Sequence, residues 1–349
     1  MRKTIKKNHV NQKLLWPNVE IEWWYFFSLV DGPGGRYGII MMLVKQIWED
    51  SKVRGIHSLI GKYHGGFMVH GYAALIDMQS QRYRYIEETS PFKKFSGDIF
   101  MRPFTASLGD WQSELLNDVI QIQLPFPETP VKLDAFPLKE KTKILGGTKE
   151  EYVAKRADSI GWAYPRLKLS GGIGADAYEG EGYYECVRSR LNPRNLMDLS
   201  YTWIYCLFDD NTELLVFVAP WEYEEKMKGF FIDADGKFEH LSAEDYTLEE
   251  SSLWQSPRTS ATYPVAWEFE CKKLGMSCAL KASFPDQELE GKKILSGRVW
   301  LGIGAVVGIR NKKSIKGVIY VGMSREQRFL HKMVLSAGDI WFRNIKKHG

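Results

Sequence analysis

Cysteine is scarce in this chain. Its four residues in 349, Cys186, Cys206, Cys271 and Cys278, form no C-x-x-C pair and show no zinc-type spacing. A disulfide framework and a structural zinc site both lack their raw material, and the four thiols are expected to be reduced and mostly buried. No apolar run approaches the roughly 20 residues that a helix needs to cross a bilayer, so no integral membrane segment is expected. The N-terminal MRKTIKKNHVNQKLLW is basic but lacks the apolar stretch of a secretory signal, which makes a cytoplasmic location the expectation. One-sided charge is missing too: 47 Lys and Arg stand against 43 Asp and Glu. Much of the small excess sits in the tails, at Arg2, Lys3, Lys6, Lys7, Lys13 and the final FRNIKKHG. These read as solvated ends. With no Arg-rich helix and no RNP-like aromatic motif, no nucleic-acid partner is expected.

Familiar catalytic motifs are absent as well. There is no G-x-x-x-x-G-K-[ST], no G-x-S-x-G and no H-E-x-x-H, so nucleotide, α/β-hydrolase and zincin chemistry have no foothold. SGGIGADAYEGEG, Ser170 to Gly182, holds pieces of a dinucleotide fingerprint but leads into the strand-like YYECV, with no helix N-terminus to receive a pyrophosphate. It reads as a glycine turn between two strands. His64 and His70 would point to one face of a strand, yet Gly65 and Gly66 intervene and no third ligand is near. No metal site and no cofactor are expected.

Aromatics, by contrast, are abundant: 12 Trp, 17 Tyr and 18 Phe. EIEWWYFFSLVD, Glu20 to Asp31, sets carboxylates directly before five of them. In a strand Trp23, Tyr25 and Phe27 share one face while Glu22, Trp24 and Phe26 share the other. Both faces are therefore aromatic, as in a strand buried on two sides or one between a core and a ligand cavity. The turn DGPGG then leads to RYGIIMMLV, a hairpin signal. Further short strand-like runs follow to GVIYVGMS near the end, many separated by turn residues. The pattern predicts a mainly β protein with sandwich or barrel architecture. Helix candidates are few: KEEYVAKRADSIGW, SREQRFLHKMVLSAGDIW and HSLIGK. The Pro- and charge-rich Leu124 to Lys143 looks like a long excursion between strands. A boundary within SRLNPRN divides the chain into two β-rich halves, 1–193 and 194–349, the second ending in a helix.

EWWYF followed by GRYG, VHGYAALID, GEGYYE, YTWIYCLFDDNTELLVF, YPVAWEF, ASFPDQEL, GRVWLGIGAVVG and GVIYVGMS, in that order, resembles the carotenoid 1,2-hydratase (hydroxyneurosporene synthase) and AttH-like family of lipocalin-like proteins. The resemblance covers roughly residues 16 to 323. That family also includes fungal pericyclases that guide Diels–Alder closure of polyene chains. The resemblance implies two lipocalin-like β-barrels packed together, few helices, and a hydrophobic pocket at or near their interface for a hydrophobic small molecule. It says nothing of oligomeric state. Where carotenoid hydratases have an aromatic-x-Asp-His segment, this chain has Tyr183, Tyr184, Glu185 and Cys186, so the carboxylate survives and the imidazole becomes a thiol. Trp-Glu-Gly becomes Trp300, Leu301, Gly302, and Gly-Tyr-x-Glu becomes Ile319, Tyr320, Val321, Gly322.

Glu185 and Glu22 are the carboxylates to watch, since desolvation among aromatics raises a carboxyl pKa and keeps a proton available. The alternative for each is a buried Glu satisfied by Arg188, Arg190 or a backbone N–H. Tyr201, Trp203 and Tyr205 share a strand face that offers two hydroxyls and an indole N–H, which makes Tyr201 and Tyr205 candidate donors. Trp23, Trp24, Tyr25, His70, Tyr184, Trp203, Trp267 and Trp300 are expected to line the pocket. Three functions fit: a cofactor-independent, Diels–Alderase-like cyclase that folds a hydrophobic polyene or isoprenoid-type natural-product intermediate for closure by a pericyclic or proton-assisted route, a hydratase of a carotenoid or other isoprenoid with Glu185 as acid and a replacement for its missing partner, and a carrier of an apolar ligand.

Overall fold

The computed structural model describes residues 19–48, 67–89, 94–146, 148–154, 159–191, 201–218, 227–289 and 298–325. Most of them lie in strands, and these form two sheets. The first sheet holds β1 (Val19–Gly32), β2 (Gly35–Trp48), β3 (Phe67–Asp77), β4 (Arg82–Thr89), β5 (Phe95–Gly97), β6 (Ala106–Leu108), β7 (Trp111–Leu116), β8 (Val119–Leu124), β9 (Val131–Pro137), β10 (Thr142–Gly146), β11 (Ser159–Ile173) and β12 (Asp176–Leu191). Its order is β4-β3-β2-β1-β12-β11-β9-β8-β7-β6-β5, with β10 also on β11. The second sheet holds β13 (Tyr201–Phe208), β14 (Glu213–Val218), β15 (Met227–Ile232), β16 (Phe238–Leu241), β17 (Tyr246–Gln255), β18 (Thr262–Cys271), β19 (Met276–Ala282), β20 (Glu288–Leu289), β21 (Arg298–Arg310) and β22 (Lys313–Arg325). Its order is β16-β15-β14-β13-β22-β21-β19-β18-β17, with β20 also on β21. Each sheet curls into a half-barrel, as two packed lipocalin-like barrels require.

Tight turns make this antiparallel. Pro33 and Gly34 close the first hairpin between the paired Gly32 and Gly35. Gly174 and Ala175 join β11 to β12, with Ile173 opposite Asp176 and Gly174 in the left-handed region at φ 63°. The glycine cluster is thus a turn between strands, as its sequence context predicts.

Three cores follow from strand alternation. Trp24 and Phe26 point into the first barrel with Met41, Leu43, Val69 and Tyr184. Ile204, Cys206, Trp267, Phe269 and Trp300 fill the second. The odd-numbered aromatics of β1 face the other way. Phe27 lies with Ile40, Met42, Tyr72 and Tyr183 of the first sheet against Trp203, Tyr205, Leu301, Ile303 and Tyr320 of the second, with Trp23 and Tyr25 packed alongside. Each fully buried ring at this joint contributes roughly 1.5–3 kcal/mol relative to exposure in water. All four cysteines are buried and unpaired.

Some expectations need correction. Among its described residues, KEEYVAKRADSIGW forms the short helix α1 (Lys149–Val153). Thr148 Oγ1 and the Glu151 carboxylate cap it reciprocally, at 3.1 and 2.6 Å. From Ser159 the chain belongs to β11, because pairing with β12 satisfies its backbone and overrides helical propensity. The Leu124–Lys143 excursion contains β9, whose Val131, Leu133 and Ala135 alternate into the core behind flanking prolines that mask the pattern. HSLIGK lies outside the described residues, as does all of SREQRFLHKMVLSAGDIW, the expected C-terminal helix, beyond its first two residues. Among the described residues no helix is long and apolar enough to cross a membrane.

Candidate functional site

Strand register builds the site. On the face of the first sheet turned toward the second, Glu185 of β12 lies opposite Tyr25 of β1, which lies opposite Met42 of β2, which lies opposite Tyr72 of β3. One row along, Val187, Trp23, Val44 and His70 are neighbours in the same way. The next row in the other direction brings Tyr183, Phe27 and Ile40 side by side. Period-2 alternation thus sets a carboxyl, several phenols, an indole and an imidazole on one aromatic face.

Glu185 is 6% exposed and its hydrogen-bond partners are neutral. Trp23 Nε1–H donates to Oε1 at 3.0 Å, and the Tyr183 hydroxyl donates to Oε2 at 2.5 Å. Burial pushes the Glu185 carboxyl up from its ordinary range, and these two donors only partly oppose it. Tyr25 and Tyr201 share a hydrogen bond across the joint, and burial pushes both phenols upward, as it does Tyr183. They are neutral donors at physiological pH. From the second sheet, Trp203 stacks on Phe27 at 5.1 Å and stands 6.4 Å from Tyr25, while Tyr205 packs on Tyr183 at 3.9 Å.

Tyr205 is committed elsewhere. Its hydroxyl donates to the Pro165 carbonyl at 2.8 Å. The ladder between β11 and β12 shifts register between Tyr164 and Leu167, so this bulge turns out the Pro165 oxygen and the Arg166 side chain toward the second sheet. There Arg166 Nε reaches Glu213 Oε1 at 2.7 Å, and Lys139 Nζ reaches Oε2 at 2.7 Å. Lys139 also donates to the Asn211 and Asp233 carbonyls, and Arg166 donates to Glu181 and to the Phe208 carbonyl. Glu213 is fully buried; burial pushes its carboxyl up while both cations oppose the rise.

The structure gathers Glu185, Trp23, Tyr25, Tyr201, Trp203 and Tyr205 at the joint, with His70 on the same face. The other candidates lie apart. Glu22 points into the first barrel, fully buried between Lys45 at 2.8 Å and Arg188 at 2.8 Å, so the alternative of a charge satisfied by Arg188 holds. Trp24 is in the first core and donates to the Pro103 carbonyl at 2.8 Å. Tyr184 is there too, with its hydroxyl 2.5 Å from Ser113 Oγ. Trp267 and Trp300 belong to the second core, where the Trp300 indole donates to the Pro285 carbonyl at 2.8 Å. Sequence reasoning missed Tyr183, Tyr72 and Phe27. The signal for Tyr183 was its i, i+2 relation to Glu185, which Tyr184 lacks. Among the described residues no group of three or more His, Cys, Asp or Glu side chains is placed to hold a metal ion.

A family model described as AttH-like matches residues 12–324. Among solved structures, a protein assigned as an AttH from Nitrosomonas europaea is 19% identical, with 86% of this chain and 92% of that one covered at a TM-score of 0.66. Kievitone hydratase from Nectria haematococca is 12% identical, with 87% and 88% covered at a TM-score of 0.63. CghA, solved with Sch210972, is 10% identical, with 88% and 89% covered at a TM-score of 0.45. No curated protein matches in sequence.

Proposed function

The chain belongs to the AttH-like family, and from that premise we propose that it is a cofactor-independent cyclase acting on an apolar polyene or isoprenoid-type small molecule. The substrate lies against the aromatic face between the two sheets, each sheet being one lipocalin-like domain (1–193 and 194–349). One observation carries the reading: Glu185 is a buried carboxyl among aromatic rings whose partners, Trp23 and Tyr183, are both neutral. Such a group keeps its proton in an apolar site and gives it to a substrate double bond. The Trp23 and Tyr183 donors then stabilise the carboxylate left behind. The faces of Phe27, Trp203 and Tyr25 favour the cation that develops on the chain. A second double bond of the folded substrate closes the ring, and loss of a proton back to Glu185 restores the acid. Atoms balance with no added reagent, and the walls contribute by holding the reacting carbons together.

Hydration is the second reading, supported by the shared fold of kievitone hydratase. It needs a group to take a proton from water. The residue that stands at the family's imidazole position, Cys186, points into the first barrel, away from Glu185. That placement favours ring closure. The test is to incubate the purified protein with linear polyenes and weigh the products. Unchanged mass in a new compound supports the cyclase, gain of one water supports the hydratase, and ligand recovered unreacted from a stable complex supports a carrier.

A further inference from the structure

His70 has no role in the chemistry above, yet its setting is unusual. Its side chain is fully buried, and neither ring nitrogen has a hydrogen-bond partner. Leaving a buried polar group unpaired costs about 1–3 kcal/mol, so such positions normally hold an apolar residue unless something bonds to them. Alternation fixes its direction. Tyr72, Ala74 and Ile76 of the same strand belong to the joint between the sheets, whereas Val69, Ala73 and Leu75 fill the first barrel. His70 therefore shares the face of Glu185, flanked by Val44 on β2 and Thr89 on β4.

We infer that His70 is a second polar anchor of this site and holds a hydroxyl group of the ligand, an alcohol or a phenol. The inference rests on the reading above that this face takes an apolar small molecule. Burial pushes the imidazole down to about 4, so near neutral pH the ring is uncharged and offers one N–H donor and one bare nitrogen acceptor. A hydroxyl is the simplest group that both accepts and donates, and it carries no charge into an apolar cleft. β12 and β3 are three strand steps apart, which at about 4.8 Å each places His70 some 14 Å from the Glu185 column. An extended chain of roughly a dozen carbons spans that interval. The substrate class narrows to an elongated, hydroxyl-bearing polyene, with its hydroxyl at His70 and its reacting double bond at Glu185.

Farnesol and farnesene are matched probes, alike in chain and differing in the hydroxyl. Their affinities for the full-length protein are read by quenching of tryptophan fluorescence, in the wild type, His70→Phe and Glu185→Gln. The preference for farnesol over farnesene should fall about tenfold in His70→Phe and stay unchanged in Glu185→Gln, the factor expected for one lost hydrogen bond. In histidine-labelled wild type, the His70 ring nitrogens should shift with farnesol and not with farnesene, a readout that needs no variant. Binding of both probes with no shift at His70, or with the same preference in wild type and His70→Phe, overturns the anchor and leaves the site standing. Failure of both probes to bind overturns the anchor and the site together.

Discussion

Two glutamates are buried at the same joint, and they are treated in opposite ways. Glu213 is met by Lys139 and Arg166, both at 2.7 Å. Glu185 is met by an indole and a phenol. The first arrangement neutralises a charge by placing cations from β11 and the β9–β10 connection against β14, which ties one half of the molecule to the other. The second leaves the proton as the only means of neutralising the carboxyl. The partners of a buried carboxyl thus bear on its role: two cations suit a structural ion pair, and neutral donors suit the acid proposed above.

Glu185→Gln sharpens the contrast most. It keeps the shape of the side chain, with the amide oxygen able to accept from Trp23 and the amide NH2 able to donate to the Tyr183 hydroxyl, but removes the transferable proton, so turnover of a substrate identified by product mass should fall about 10²–10⁴-fold. An unchanged rate would leave a pericyclic route. The matching change at the other site, Glu213→Gln, should leave Lys139 buried without a counter-charge and Arg166 with only the half-exposed Glu181, and destabilise the fold by about 3–5 kcal/mol. Urea unfolding checks this, and a loss below about 1 kcal/mol would show that water reaches the pair.

The smallest effect is in pH dependence. Glu185 has a raised folded pKa. Below the ordinary carboxylate range both the folded and the unfolded chain hold its proton, and the group costs nothing. As pH rises through that range the unfolded chain releases the proton first, so stability declines until pH passes the folded value. The melting temperature of Glu185→Gln relative to wild type should therefore climb as pH rises above the ordinary carboxylate range, about pH 4. Because the comparison is a difference, the titration of Glu213 cancels. A flat difference would mean that Trp23 and Tyr183 hold Glu185 ionised.

Legibility from sequence follows the same divide. The alternation in EIEWWYFF correctly separates Trp23, Tyr25 and Phe27 from Trp24 and Phe26, and it marks a strand aromatic on both faces. Glu185 stands out as a carboxylate among aromatics. But Glu22 has the same local signature, and nothing near it in the chain reveals that Lys45 of β2 and Arg188 of β12 close on it. Tyr184 is the pocket candidate from sequence where Tyr183 bonds to Glu185, because nothing local says which of the two faces meets the second sheet. Tyr205 reads as a free donor in the sequence, whereas the β11 bulge presents the Pro165 carbonyl to its hydroxyl.

What the sequence by itself determined is local: the period of 2, the turn positions, the absence of metal and nucleotide motifs, and the family to which the chain belongs. Those depend on residues within a few positions of one another, or on a pattern of short motifs in order. Tertiary structure alone decided which face of each strand is the joint, which buried carboxyl has a cation, and that His70 lies with both nitrogens unpaired on the face of Glu185. The reason is distance along the chain. Trp23 and Glu185 are 162 residues apart, and only the pairing of β1 with β12 brings the indole to the carboxyl.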